Sequence, residues 1–496
     1  MKDLPPGLLA RMREAIMADP QLPRPNPTIA LWQEPAHPTV ASIQSDTLPP
    51  QTDFAIIGSG ITGCSVAKGL LESQNVPGAH ITVLEARTLV SGATGRNGGH
   101  LVTPVGHTYS EFVERFGEDN AQEMARFSIR NIDKVMEMIR ELDPALQEAS
   151  EIRDLHKIMV AGDADTWAKS RASLAAFRQA VPEYKTYHET ITPEAVLRDW
   201  NIKDAFGAIA HPAGAVWPYR LITGIFEQLL KKYPSRLAIE TNTPVTAIAF
   251  TGNSPYPYAV TTPRGVIHAR QVVHCTNAFA AHLLPRLRGK VYPFRGTMSV
   301  QKAGSSLENV GASRSWSMLR RMELDPTTAL LRTGLVYLQQ NARTGDLWAG
   351  TETSNLFDVL TTDDTYVTED ARRILQDFLP TYFDKGWSPQ ERPEMKGIWS
   401  GIMSYTADGL PLVGRLPECI TGRPGGAEWM SGAYNGYGMD KAWLSGEALV
   451  KMIVGEGVPS WFPKCFVVSE KRFKEDMLTE RIIEKFAAYA PGTAHL

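Results

Sequence analysis

Residues 52–86 read TDFAIIGSGITGCSVAKGLLESQNVPGAHITVLEA, and this stretch decides the fold. Phe54 to Ile57 is a short apolar run, the pattern of a buried strand. ITGCSVAKGLLESQ spaces its apolar residues for a helix, and HITVLEA is a second buried strand. Strand, helix and strand in about 35 residues predict a βαβ unit. Between the first strand and the helix lies Gly58-Ser59-Gly60-Ile61-Thr62-Gly63, a GxGxxG sequence. Gly58 allows a tight turn, Gly60 lets a pyrophosphate approach the backbone, and Gly63 lets helix and strand pack closely. The helix N-terminus offers unpaired N–H groups to phosphates. Glu85 follows Gly63 by 22 positions, near the expected spacing of about 20, and can accept hydrogen bonds from ribose hydroxyls. It would repel a 2′-phosphate, which disfavours NADP. Cys64, in the first turn of the helix, reads as a core residue.

Composition narrows the field. At about 150 residues per domain, 496 residues suggest roughly three domains or two large ones. Fifty-one Lys and Arg against 54 Asp and Glu give a net charge of −3, which argues against a nucleic-acid or polybasic membrane binder. Apolar residues at 43% and charged residues at 21% fit an ordinary globular chain. Cys64, Cys275, Cys419 and Cys465 are scattered and form no CxxC, so neither a disulfide scaffold nor a cysteine zinc site is expected. No run approaches the roughly 18 apolar residues of a membrane span, and the first 20 residues lack the core of a secretory signal. A soluble intracellular protein is the expectation. Leu8, Leu9, Met12 and Ile16 predict a short docked helix.

Residues 19–51 are proline-rich and predict an extended arm around a folded body. Helices are predicted over 109–142, 164–181, 218–233, 368–379 and 439–454. Strand-like text fills 236–276 and 290–355. This mixture predicts an α/β nucleotide-binding domain interleaved with a sheet-based second domain.

GxGxxG does not separate NAD from FAD. Directly after Glu85-Ala86-Arg87 comes a glycine- and amide-rich loop, Ser91-Gly92-Ala93-Thr94-Gly95-Arg96-Asn97-Gly98-Gly99-His100. Such a loop can lay many backbone donors along a phosphate and a flat ring. No second GxGxxG occurs, which counts against an enzyme binding both a flavin and NADPH. VLEARTLVSGATGRNGGH resembles the flavin-binding start of the D-amino-acid oxidase superfamily of FAD-dependent oxidoreductases. The similarity is strongest to the gamma-glutamylputrescine oxidase-like branch and its fungal relatives. Ala213 to Pro218, Asn277 to Phe279 with Pro285 to Val291, Ser404 to Pro411, and Ser431 to Met439 carry the same resemblance. It spans about residues 30 to 455.

The resemblance implies a Rossmann-like FAD-binding domain interleaved with an α+β substrate domain on a mixed or antiparallel sheet. The expected division is an arm at 1–50, an FAD domain from 51–108, 205–290 and 395–455, a substrate domain from 109–204 and 291–394, and a tail at 456–496. Val245 would meet the adenine side through its backbone, and Thr276 and Asn277 the pyrophosphate. Asn435, Gly436, Tyr437, Gly438 and Met439 would reach the flavin pyrimidine. The helix after them can stabilise negative charge on the reduced flavin. Some relatives attach FAD to a cysteine at the position of Gly401, so FAD here is expected to be non-covalent or at least not cysteinyl-linked. His100 is expected to be a flavin neighbour.

Amino-acid oxidases of this superfamily hold a substrate carboxylate with an arginine where this chain has Met403. Sarcosine-type oxidases use a lysine where it has Asp440, with Lys441 one step on. Both anchors are missing, and Asp440 either holds a distal ammonium or caps the following helix. The expected chemistry is oxidation of a primary or secondary amine to an imine, with O2 reduced to H2O2. His100, Tyr405 and Tyr437 would line the pocket, and Lys302 would lie over the flavin or stand in solvent. The alternatives are a tailoring oxidase or dehydrogenase acting on a larger natural product, and a non-catalytic flavin-binding protein. Ala494-His495-Leu496 resembles a relaxed peroxisomal address, so a peroxisomal or cytoplasmic location is expected.

Overall fold

Strand Gln51–Ile57 pairs in parallel with Ile81–Leu84 on one side and with Gly265–His274 on the other. The chain thus leaves this strand in two directions, which opens a crevice beyond the strand's C-terminal end, where open α/β sheets bind ligands. These relations come from a computed structural model that describes residues 4–252, 254–388 and 390–491. The first sheet runs Leu412–Arg415, Glu428–Gly432, Gly265–His274, Gln51–Ile57, Ile81–Leu84, Leu237–Glu240, with a hairpin extension at Ala247–Phe250 and Tyr258–Thr262. Helix Ile61–Glu72 lies against helix Ala442–Ile453, and Ser65 Oγ donates to the Trp443 carbonyl at 2.7 Å.

The second sheet runs Met395–Thr406, Val291–Gln301, Leu347–Thr351, Leu335–Gln340, Arg314–Leu319, Arg153–Ala161, Gly207–Ala215, His100–Leu101. It is antiparallel except for the parallel pair of Arg153–Ala161 with Arg314–Leu319. Sheet membership differs from the expected segments. Strands Gly207–Ala215, Met395–Thr406 and His100–Leu101, assigned from sequence to the FAD domain, all belong to the second sheet. Each follows or precedes a loop that reaches the first sheet, so its glycine-rich end resembles a nucleotide site while its body pairs elsewhere.

The helix predicted over 109–142 is two helices, Val105–Phe116 and Glu118–Arg140. Gly117 separates them at φ +81°, outside helical space, and Glu118 and Asp119 favour the new N-terminus. The first helix, Pro6–Met17, buries Leu8, Met12 and Ile16 and packs on the tail helix Thr479–Ala487. The arm after it is extended, as its prolines predict. Trp32 stacks on Trp348 and meets Trp217 edge-on.

The tail is fixed by a buried charge. Arg472 donates to Asp408 at 2.5 Å and to the carbonyls of Leu410, Pro411 and Phe466. Removing one partner of a buried pair leaves a charge without compensation, at a cost of about 3–5 kcal/mol. Arg472→Ala is therefore expected to lower stability by about that amount, checked by the midpoint of urea unfolding. An unchanged midpoint would show that the tail is dispensable to the body.

Candidate functional site

The crevice begins at GxGxxG. A Cβ at Gly63 would stand 2.0 Å from the Gly58 carbonyl oxygen, and one at Gly58 would stand 2.5 Å from the Cys275 oxygen. Both glycines are therefore demanded by backbone contact. Ser59 donates through N and Oγ to Glu85 at 3.1 and 2.7 Å, and Arg87 N donates to the other carboxylate oxygen at 3.0 Å. Glu85, beside half-buried Ala86, is thus fixed at the end of its strand with lone pairs to spare. Thr94 Oγ1 lies 3.0 Å from the Cβ position of Gly60 and accepts from Ile61 N at 3.0 Å. Thr62 Oγ1 bonds the Tyr434 hydroxyl at 2.9 Å. Across the crevice, Thr276 Oγ1 is buried with no hydrogen-bond partner, and Asn277 takes a left-handed φ of +48°. Val245 is buried, and its backbone makes no hydrogen bond among the described residues.

The loop 95–99 is clamped through its carbonyls. Gly95 accepts from Gln33 at 3.1 Å, Arg96 from Trp399 at 2.9 Å, Asn97 from Trp32 at 2.5 Å, Gly98 from Gln339 at 2.5 Å, and Gly99 from Val216 N at 2.9 Å. Asn97 Oδ1 braces the turn by accepting from Gly99 N at 2.7 Å. The N–H groups of Asn97 and Gly98 meet no acceptor among the described residues. The loop therefore presents donors outward, as an anionic or ring-carbonyl ligand requires. The guanidinium groups of Arg87 and Arg96 do not serve this purpose. Arg87 pairs with Asp364 at 2.9 Å, and Arg96 bonds the carbonyls of Ser91, Thr28 and Ser400. Any cofactor contact at these two positions falls to the backbone.

The second glycine loop closes the crevice. Asn435 and Gly436 both have positive φ, and a Cβ at Gly436 would stand 2.4 Å from the Tyr405 hydroxyl. Asn435 Oδ1 accepts from Thr406 N at 2.9 Å, and the Met439 carbonyl accepts from Asn131 at 3.0 Å. Gly438 accepts from Ala442 N at 2.8 Å, which starts helix Ala442–Ile453. Ser404 Oγ, beside this loop, is buried without a partner. Of the two tasks expected of Asp440, helix capping is not observed. It makes no side-chain cap to the helix, and its ammonium partner is the chain's own Lys441, at 2.7 Å, with Ser128 as a second donor. Lys441 is committed to Asp440 and to the Tyr437 carbonyl, and its Nζ lies 5.5 Å from the Tyr437 ring.

The second sheet turns one face to these loops. Its register sets Gly401 opposite Gly296, Met403 opposite Phe294, and Tyr405 opposite Tyr292. Gly350 pairs with both Met298 and Tyr337. A Cβ at Gly401 would stand 3.2 Å from Arg96 Cβ, so this face meets the clamped loop. A Cβ at Gly296 would stand 3.2 Å from Met403 Cε and 3.4 Å from Glu352 Cγ. Glu352 and Tyr337 were missed by sequence reading, as was Lys157, which is buried opposite His211 on the same face. His100 is buried with Nε2 unpartnered, 6.4 Å from the Tyr337 ring. Burial, then Lys157 and Arg153, hold its pKa down to about 3, so the ring is neutral at physiological pH. Burial, then Glu352, raises the phenol pKa of Tyr337, Tyr405 and Tyr437.

Lys302 is corrected. It follows the end of strand Val291–Gln301, six residues from Gly296, about 20 Å at the usual rise. Its side chain is 64% exposed and faces Glu394 at 3.7 Å. It stands in solvent because the strand has by then passed the edge of the core.

Comparison with known proteins follows the same geometry. The description of FAD-dependent oxidoreductases named DAO matches residues 53–452. The chain belongs to the DAO family of FAD-dependent oxidoreductases. It is 24% identical over 412 residues to the gamma-glutamylputrescine oxidoreductase of Escherichia coli (strain K12), covering 82% of this chain and 84% of that one. It is 33% identical over 101 residues to the probable oxidoreductase OrdL of Haemophilus influenzae, a match spanning 19% of this chain and 22% of that protein. Glycine oxidase from Geobacillus kaustophilus shares the fold, with a TM-score of 0.62 and 18% identity over 85% of this chain and 99% of that one. The family implies FAD, and the crevice fits it. GxGxxG, Glu85, the unpartnered Thr276 hydroxyl and the outward N–H groups of 97 and 98 would hold the dinucleotide and the ring. Among the described residues no cluster could hold a metal ion, and no helix is long and apolar enough to cross a membrane.

Burial, opposed only by its own backbone and by Tyr337, pushes the Glu352 carboxyl up to about 7. A raised carboxyl contributes stability below its ordinary value, and that contribution is lost as pH rises through about 7. Glu352→Gln is expected to be more stable than the wild type at pH 8.5, by up to about 3 kcal/mol, with the gap closing at pH 5. Urea unfolding at the two pH values reads this directly. An equal gap at both would place Glu352 in contact with water.

Proposed function

We propose that this FAD-dependent oxidoreductase oxidises a primary or secondary amine to an imine and passes the electrons to O2, giving H2O2. One observation carries the reading. Met403 and a self-paired Asp440–Lys441 stand where the resemblance puts carboxylate-anchoring cations, so neither position offers a free cation to an amino-acid carboxylate. Gamma-glutamylputrescine oxidoreductase, the relative matched along most of the chain, is named for an amine substrate.

The chemistry a bound FAD would supply is acceptance of a hydride from the carbon next to a neutral amine nitrogen. The chain supplies position and dryness. Tyr337, Tyr405 and Tyr437 are grouped around Glu352 on this side of the crevice. The N-terminus of helix Ala442–Ile453 favours negative charge beside loop 435–439. His100, neutral, offers a hydrogen bond without charge. FAD is held without a covalent bond to cysteine, because position 401 carries glycine where some relatives carry the linking cysteine. A second reading, a tailoring oxidase for a larger amine, draws on the same missing anchor. The tripeptide at 494–496 that resembles a peroxisomal address lies outside the described residues, and peroxisomal or cytoplasmic residence stays part of this proposal, with H2O2 as product favouring the first.

Purified protein is expected to be yellow and to release FAD into the supernatant on acid precipitation. Under anaerobic conditions, amines should bleach the flavin more than tenfold faster than simple α-amino acids, and air should restore the colour with H2O2. Bound FAD that no amine bleaches would leave a flavin-binding protein, and rapid bleaching by amino acids would overturn the substrate class. Gly63→Val, forced against the Gly58 oxygen, should abolish flavin retention.

A further inference from the structure

Seven acidic side chains are buried among the described residues: Glu240, Asp346, Glu352, Asp364, Asp408, Glu428 and Asp440. Six have a cation of the chain at 2.5–2.9 Å, namely Arg264, Lys396, Arg87, Arg472, Arg423 and Lys441. Glu352 has none. Burying an unpaired carboxylate is costly, and chains either pair it or keep it neutral. Here it stands on the sheet face that meets the flavin-type loop, next to Gly296 and Met403.

The side chains around Glu352 suit a cation. Tyr337, Tyr405 and Tyr437 are the titratable neighbours of the carboxyl. Aromatic faces attract an ammonium, and more strongly when water is excluded. Of the lysines on this side, Lys441 is paired with Asp440, Lys157 has Asp440 as its charged neighbour, and Lys485, 5.4 Å from the Tyr405 ring, has Arg115 and Glu111. Arg295 projects from the opposite face of its strand, where it meets Asp358 and the Tyr366 ring.

We infer that Glu352 is the receptor for the protonated amine of the substrate, and that it takes the proton which must leave before oxidation. In that step one N–H bond of the ammonium breaks and one O–H bond forms on the carboxylate. Both charges vanish, leaving a neutral amine and a carboxylic acid beside the tyrosines. The inference rests on the reading of the crevice as an FAD site for amines. A raised carboxyl is close in affinity to neutral pH, which lets it both attract the cation and accept its proton.

The test uses the flavin-loaded protein and two probes of one shape, n-butylamine and butyrate, with the flavin absorbance as reporter. n-Butylamine stays an ammonium across pH 5–9 by analogy with lysine, whose ordinary pKa is about 10.4. Its dissociation constant is expected to fall about tenfold or more from pH 5 to pH 8.5 as Glu352 ionises. Glu352→Gln should retain flavin, bind n-butylamine at least tenfold more weakly at pH 8.5, and lose the pH dependence. Its anaerobic bleaching by n-butylamine should move to higher pH. Butyrate should bind more weakly than n-butylamine above pH 7. A pH-independent wild-type affinity, a Glu352→Gln variant that binds as well as the wild type, or preferred binding of butyrate would each overturn the inference. If the variant loses flavin, the wild-type titration alone decides. Protein without flavin refutes the crevice reading itself, whereas flavin-loaded protein with a flat titration refutes only the role of Glu352.

Discussion

One buried carboxylate, Asp364, holds the molecule's parts in register. Arg87 binds it directly at 2.9 Å, and Arg96 approaches it at 3.8 Å. The same two guanidinium groups take carbonyls from the arm at Arg24 and Thr28, from the loop at Ser91, and from the second sheet at Ser400. Burial lowers the Arg96 pKa to about 10, with Asp364 opposing, so the guanidinium remains charged. Four pieces of chain far apart in sequence meet at this knot. None could shift without leaving a charge or a carbonyl unsatisfied in a dry interior.

Around that knot, two sheets with different tasks face one crevice. The parallel sheet supplies turns at its strand ends, where backbone N–H groups and a single carboxylate suit a dinucleotide. The antiparallel sheet supplies a flat face on which glycines alternate with large side chains. Gly296, Gly350 and Gly401 leave the room that Met403, Tyr337 and Arg96 then fill. Polar groups in this face are few and placed singly, so each one counts in deciding what enters.

Local patterns were legible in the sequence because their physics is local. GxGxxG, the spacing to Glu85, the RNGGH loop and the YNGYG loop each declare a backbone shape within a few residues. The missing anchors at 403 and 440 were also legible, through resemblance. Glu352 was not. WAGTETSN reads as strand and turn, and only the pairing of strand Leu347–Thr351 with Val291–Gln301 decides which way position 352 points. Lys157 was hidden for the same reason, since alternation within its strand does not reveal which face meets the crevice. Lys302 misled because it stands just past the end of the right strand, six residues from Gly296. At Gly117 the local signal was present, in FGED, but the apolar spacing on both sides ran on as though unbroken.

The carbonyls of 95 to 99 are all engaged by the chain's own donors, three of them from Gln33, Trp32 and Trp399. The cradle for the ring is therefore shaped by tryptophans and glutamines of the chain itself, so a change at Trp32 or Trp399 would reach the flavin through the backbone of this loop and not through a direct contact.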